Sequence, residues 1–127
     1  MLRASQALIL VATIAVMAPA CHHRRGAPTV EPPADITLQV TNHNWLDVTI
    51  YVVHDGVRTR VGLVTASSDQ AFTLSAQMVG QSHELVLIGE AVGSRDTART
   101  DVLSVQPGQL IEWTLETDLR RSSVGVY

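Results

Sequence analysis

Lysine is absent from this chain of 127 residues, and all nine of its basic residues are arginine. Cysteine occurs once, at position 21, so the chain forms no internal disulfide. From residue 35 onward, six arginines stand against eleven acidic residues, a formal charge of −5. A nucleic-acid partner requires a clustered basic surface, so this balance argues against nucleic acid.

Recognisable catalytic motifs are also missing. The sequence contains no GxSxG, no HExxH and no glycine loop of the kind that cradles phosphate. Three histidines, His43, His54 and His83, lie far apart along the chain. We therefore expect a protein that is not an enzyme and that holds neither a metal nor another cofactor.

An apolar run at residues 7–17 dominates the start of the chain. It follows a short segment that contains Arg3, which is the layout of an export signal. As a helix, eleven residues span only about 16 Å, against roughly 30 Å of membrane hydrocarbon. The run is therefore too short for a permanent span, and residues 1–20 are predicted to be a signal peptide.

The end of this leader reads Ala18-Pro19-Ala20-Cys21. It resembles the lipobox of bacterial lipoproteins. The resemblance implies cleavage before Cys21 and attachment of acyl chains, palmitate among them, to the cysteine. The same resemblance implies the outer membrane, because His22 rather than aspartate follows the cysteine. The small residues Ala18 and Ala20 also fit the ordinary signal peptidase, which would release a soluble exported protein.

Residues 21–34 contain three prolines and almost no apolar side chain, which predicts a disordered tether. His22 and His23 beside Cys21 lack a scaffold that would fix metal geometry, so no metal site is predicted there. Residues 35–127 are then the size of one ordinary domain.

Alternating apolar and polar residues predict strands at residues 36–41 and 46–53. Asp55-Gly56 follows, and this pair favours a two-residue type I′ hairpin turn. The turn predicts a register that pairs His54 with Val57, Val52 with Thr59, Ile50 with Val61, Val48 with Leu63, Val53 with Arg58, Tyr51 with Arg60 and Thr49 with Gly62.

Further along, a polar loop is predicted at residues 65–70, a loop or single helical turn at 75–82, and a loop at 93–100. Strands are predicted at residues 71–74, 84–92, 102–105, 110–117 and 124–127, with a bulge at Gly89 in the central one. Seven or eight strands and no sustained helical period predict an antiparallel β-sandwich, with a small open β-barrel as the alternative.

The turn Val105-Gln106-Pro107-Gly108 before a strand resembles carboxypeptidase-regulatory-like domains, and the succession of short strands resembles immunoglobulin-like domains. Both resemblances imply a sandwich and leave the ligand open.

Two groups of residues are candidates for contact with a partner. Tyr51, Arg58 and Arg60 share one face of the predicted hairpin, as an interaction patch or as ordinary stacking of arginine on tyrosine. Trp45 is either a sugar-stacking aromatic or, with only five aromatic residues in the chain, a hydrophobic lid on the core.

Together these patterns predict an exported lipoprotein that acyl chains on Cys21 hold at the outer membrane, facing the periplasm or the cell surface. Its domain would act as a non-catalytic binding or structural module of the envelope, with an envelope protein as a possible partner. The alternative is a soluble exported domain that binds a ligand, such as carbohydrate, through Trp45 or Tyr51.

Overall fold

A computed structural model describes residues 26–127. The signal peptide predicted at residues 1–20 and the lipid site predicted at Cys21 lie outside this range. Residues 26–35 have no regular secondary structure and are exposed to solvent. Within residues 26–127, no helix is long and apolar enough to cross a membrane.

The domain is a β-sandwich, so the predicted fold class is confirmed. One sheet has the order β4-β1-β8-β9, and the other has the order β3-β2-β5-β6 with β7 also paired to β5. The described part of the chain forms nine strands: β1 Ile36–Asn42, β2 Val48–His54, β3 Val57–Val64, β4 Ser68–Leu74, β5 Glu84–Ala91, β6 Thr97–Arg99, β7 Leu103–Ser104, β8 Leu110–Leu115 and β9 Ser123–Val126. Two single 3₁₀ turns, Ala76–Met78 and Leu119–Arg121, interrupt them.

Two strands extend into segments that were expected to be loops. β4 begins at Ser68, inside the loop predicted at 65–70, and β6 lies inside the loop predicted at 93–100. Both segments are rich in polar residues, but β1 and β5 offer them unpaired backbone groups. Backbone pairing with these neighbours therefore outweighs the local polar composition.

The sheets are antiparallel except at one place. β1 lies between β4 and β8 and pairs with β8 in parallel, with Leu38 opposite Ile111 and Val40 opposite Trp113. The first strand of the domain is therefore hydrogen-bonded on both sides, which the expectation of a purely antiparallel sandwich did not include.

The hairpin turn at Asp55-Gly56 is confirmed, since both residues have positive φ, 47° and 75°. The four predicted pairs nearest the turn are also confirmed, from His54 opposite Val57 to Tyr51 opposite Arg60. Beyond Tyr51 the predicted register is wrong, because a β-bulge at Val61 shifts it by one residue. Ile50 therefore lies opposite Gly62, Thr49 opposite Leu63 and Val48 opposite Val64.

The bulge has a packing reason. Gly62 now points inward, and the ring of Phe72 occupies the space that a side chain at this position would need. Val64 becomes fully buried, whereas Leu63, expected inside, is 41% exposed. The register shift thus places Gly62 where the Phe72 ring of the other sheet can pack at the edge of the core.

The core lies between the two sheets and contains the inward side chains of β1, β2, β5 and β8. Trp113 is its largest member, with 1% of its surface exposed. An added Cβ at Gly89 would lie 3.3 Å from Cη2 of Trp113 and 3.0 Å from Cγ1 of Val48. The bulge predicted at Gly89 is wrong, since β5 pairs there without a shift; the glycine instead makes room for the indole.

Candidate functional site

The last residue of β1 and the connection to β2, residues 42–47 together, form a corner that we call the Trp45 corner. Asn42 and Asn44, two residues of this corner, are buried polar residues with 1% and 3% of their surface exposed. Buried amides are stable only when their donors and acceptors are paired. Here both side chains are paired with backbone groups, which lie within the corner itself, at the end of β3 and after β8.

Asn42 ties the corner to the end of β3. Its amide nitrogen donates to the carbonyl oxygens of Leu46 at 3.0 Å, Thr65 at 3.1 Å and Val64 at 3.4 Å. Its side-chain oxygen accepts from the backbone nitrogen of Asn44 at 2.9 Å. One buried amide therefore fixes the direction in which the chain leaves β1.

Asn44 ties the same corner to the segment after β8. Its amide nitrogen donates to the carbonyl oxygen of Thr117 at 2.9 Å, and its side-chain oxygen accepts from the backbone nitrogen of Leu46 at 2.9 Å. The residue between these anchored neighbours, Trp45, is thus held on a backbone with little freedom to move.

Trp45 is 70% exposed, so the expectation that it forms a lid on the core is wrong. The inward positions around the corner are taken by the two asparagines, and Trp113 supplies the large aromatic of the core. The other reading of this residue, an aromatic surface available to a ligand, stays open.

A shallow pocket of about 550 Å³ lies beside Trp45. Its lining is partly polar and partly apolar and carries both charges: Arg95, Asp96, Thr97, Thr117, Asp118, Leu119 and Arg120 accompany the indole. Asp118 and Arg120 form a two-pronged ion pair, with Nε to Oδ1 at 3.0 Å and Nη2 to Oδ2 at 3.1 Å. Hydrogen bonds from the guanidinium and the backbone nitrogen of Arg120 lower the pKa of the Asp118 carboxyl, so it stays ionised in mildly acidic solution.

The second candidate surface lies on the outer side of the other sheet. The guanidinium carbon of Arg58 is 3.7 Å from the centroid of the Tyr51 ring, and Nη2 of Arg58 is 2.6 Å from Oε1 of Glu90. The hydrogen bond with Glu90 is the main cause that raises the pKa of the Arg58 guanidinium above its ordinary value. The predicted cross-strand stacking is present, and it engages Arg58, diagonal to Tyr51, whereas Arg60 lies directly opposite.

Sequence reasoning missed one residue of this second surface. Arg99 on β6 lies opposite Ile88, which lies opposite Tyr51, so Arg99 shares a row with Arg60. No signal in the sequence places Arg99 there, because its segment, Thr97–Arg99, has no alternating pattern that would mark it as a strand.

The histidines lie in separate places. Nδ1 of His43 is 3.4 Å from Oε2 of Glu116 beside the Trp45 corner. His54 is at the opposite end of β2, with Nδ1 at 2.8 Å from the carbonyl oxygen of Glu84 and Nε2 at 3.0 Å from Oδ2 of Asp55. His83 has a positive φ of 53°, and its buried Nδ1 has no hydrogen-bond partner among the described residues. Within residues 26–127, no three potential ligands are grouped as a metal site would require.

Comparison of the sequence with known protein families finds no match, and comparison with curated proteins finds none either. Among solved structures, the chain is similar to an NMR structure of a protein from Eubacterium rectale, with a TM-score of 0.45 and 17% sequence identity. The similarity covers 73% of this chain and 86% of that one.

Proposed function

We propose that this chain is an exported lipoprotein whose acylated Cys21 anchors a non-catalytic binding module in the cell envelope. The exposed Trp45 on its anchored corner is the observation that carries the binding role. An indole left in water forfeits the free energy that its burial would contribute, about 25 cal/mol per Å² of apolar surface. A ligand that covers the indole would recover part of this free energy.

Carbohydrate is the ligand class that fits the Trp45 corner. A pyranose ring presents C–H groups that pack on an aromatic face, and its hydroxyls need nearby donors and acceptors. Thr97, Asp118 and Arg120 line the pocket beside the indole and supply both. This observation also favours the alternative, a soluble exported carbohydrate-binding domain, which differs from the first proposal only in the fate of Cys21.

Replacing Trp45 by Ala is expected to abolish glycan binding while changing the free energy of unfolding by less than about 0.5 kcal/mol, because the side chain is largely exposed. Binding is followed by the fluorescence of Trp45 over a glycan panel, and for the variant by calorimetry. Tyr127→Ala removes a similarly exposed aromatic, 69% exposed, and should leave binding unchanged. A panel in which no glycan binds the natural protein would contradict the carbohydrate assignment.

The anchor is tested separately. Cells that express the natural chain should incorporate a palmitate analogue into it, and Cys21→Ala should incorporate none, because the thiol is the site of acylation. Washing without detergent should release the variant and leave the natural chain with the membranes, since more than one acyl chain holds it. Absence of label on the natural chain would favour the soluble alternative.

A further inference from the structure

The outer side of the second sheet has a composition unlike the rest of the domain. Its two central rows run across the strands and together form the surface that we call the arginine face: Arg58, Val53 and Val86 in one row, and Arg60, Tyr51, Ile88 and Arg99 in the other. The three arginines are exposed, whereas the residues between them are half-buried or, for Val86, 8% exposed.

Charge is distributed unevenly between this face and the rest. The arginine face holds three of the six arginines found after residue 34 and none of the eleven acidic residues. Glu90 and Glu84 flank it on β5, and Glu90 is already paired with Arg58. The arginine face is therefore a basic surface on a domain whose net charge is negative.

Two of the three arginines are available to a partner. Arg58 is engaged by the ring of Tyr51 and by Glu90. Arg60 and Arg99 are exposed and make no ion pair with any residue from 26 to 127. Their long side chains therefore project from opposite ends of one row, with Tyr51 and Ile88 between them.

The spacing within that row is set by the sheet. Arg60 and Arg99 are three strands apart, and strands are separated by about 4.8 Å, which places their Cα atoms about 14 Å from each other. An extended chain advances about 3.4 Å per residue, so the same distance spans about four of its residues. Residues four apart in an extended chain point to the same side, and so does the residue midway between them.

We propose that the arginine face binds an extended acidic segment of a partner protein, with two carboxylates four residues apart and an aliphatic residue midway. The carboxylates pair with Arg60 and Arg99, and the aliphatic side chain packs on Ile88 beside the Arg58 guanidinium that covers the Tyr51 ring. Tyrosine and arginine around a small apolar centre, with no lysine, are the composition of protein interfaces. A segment of this kind matches the face in charge, spacing and polarity.

An anionic membrane is the less suitable occupant. Binding to lipid headgroups typically uses clusters of about four to eight flexible basic residues. The arginine face offers three arginines, of which one is already paired, and its apolar residues are recessed between them. These features favour a polypeptide whose side chains contact the recessed residues between Arg60 and Arg99.

The test is an NMR titration of the mature protein with short peptides that contain Glu-Ser-Val-Ser-Glu. Shifts of backbone signals should be confined to β2, β3, β5 and β6, and binding should weaken as salt is added. The double variant Arg60→Ala, Arg99→Ala should bind about tenfold more weakly, whereas Arg121→Ala, which removes an exposed arginine elsewhere, should bind as the natural protein does.

Two matched probes can each overturn the proposal. A peptide with Gln in place of both Glu residues should lose most of the binding; equal binding of the two peptides would overturn it. The second probe is a vesicle that contains phosphatidylglycerol. The proposal would likewise be overturned if such vesicles bound through Arg60 and Arg99 while the acidic peptide did not. Trp45→Ala should have no effect, which separates this site from the proposed carbohydrate site.

Discussion

Replacing Trp113 by Ala is expected to destabilise the domain by about 3 to 5 kcal/mol, the usual cost of truncating a large buried aromatic. The indole is 1% exposed and sits against Gly89, which has no side chain to move into the space left behind. Folded proteins have only about 5 to 15 kcal/mol of stability, so the variant approaches unfolding. Urea denaturation followed by circular dichroism measures the change.

The other tryptophan is the matched control. Trp45→Ala removes the same atoms from a side chain that is 70% exposed, so its unfolding midpoint should coincide with that of the natural protein. Trp113→Phe leaves a smaller cavity, so its stability should lie between those of Trp113→Ala and Trp45→Ala. It should remain measurable if Trp113→Ala does not fold. A large loss of stability in Trp45→Ala would show that this residue supports the core after all.

Replacing Asn42 by Asp is expected to cost about 3 to 5 kcal/mol, although the two side chains have nearly the same shape. The buried amide nitrogen donates to three carbonyl oxygens, and a carboxylate would place negative charge against all three. The loss of stability should shrink as the pH falls through the pKa of the new carboxyl, which burial raises, because the protonated form regains one donor. It should reach its minimum below about pH 4, the ordinary pKa of aspartate. Denaturation at several pH values, each compared with the natural protein, measures this dependence.

Gln77→Glu makes the same change of amide to carboxylate on an exposed side chain and should alter stability by less than about 0.5 kcal/mol. Asn42→Asp should also weaken glycan binding at neutral pH, because the corner that presents Trp45 depends on this residue. An Asn42→Asp protein as stable as the Gln77→Glu protein would show that the hydrogen bonds of Asn42 do not fix the corner.

The hairpin shows how far local sequence predicts this fold. Asp55-Gly56 determines the turn, and the pairs nearest to it follow from the turn geometry alone. The bulge at Val61 depends on Phe72, a residue of the opposite sheet that fills the space above Gly62. Because that contact joins two sheets, no pattern within the hairpin predicts it.

The Trp45 corner illustrates a different limit. Scarcity of aromatic residues favours a buried tryptophan, and Trp113 does follow the alternation of its strand into the core. Asn42 and Asn44 follow the alternating residues 36–41, and asparagine is typical of turns. Their burial depends on carbonyl groups more than twenty residues away for Asn42 and more than seventy for Asn44, which only the folded chain brings together.

The place of β1 bears on how an anchored protein would respond to mechanical force. A lipid on Cys21 would transmit any pull on the domain through residues 22–35 into Ile36, the first residue of β1. That strand is bonded to β4 on one side and to β8 on the other, so a pull along its axis loads both ladders in shear at once. A strand at the edge of a sheet would resist the same pull with one ladder only. A tether attached there would load many hydrogen bonds together, so the rate of forced unfolding of the anchored domain should be low.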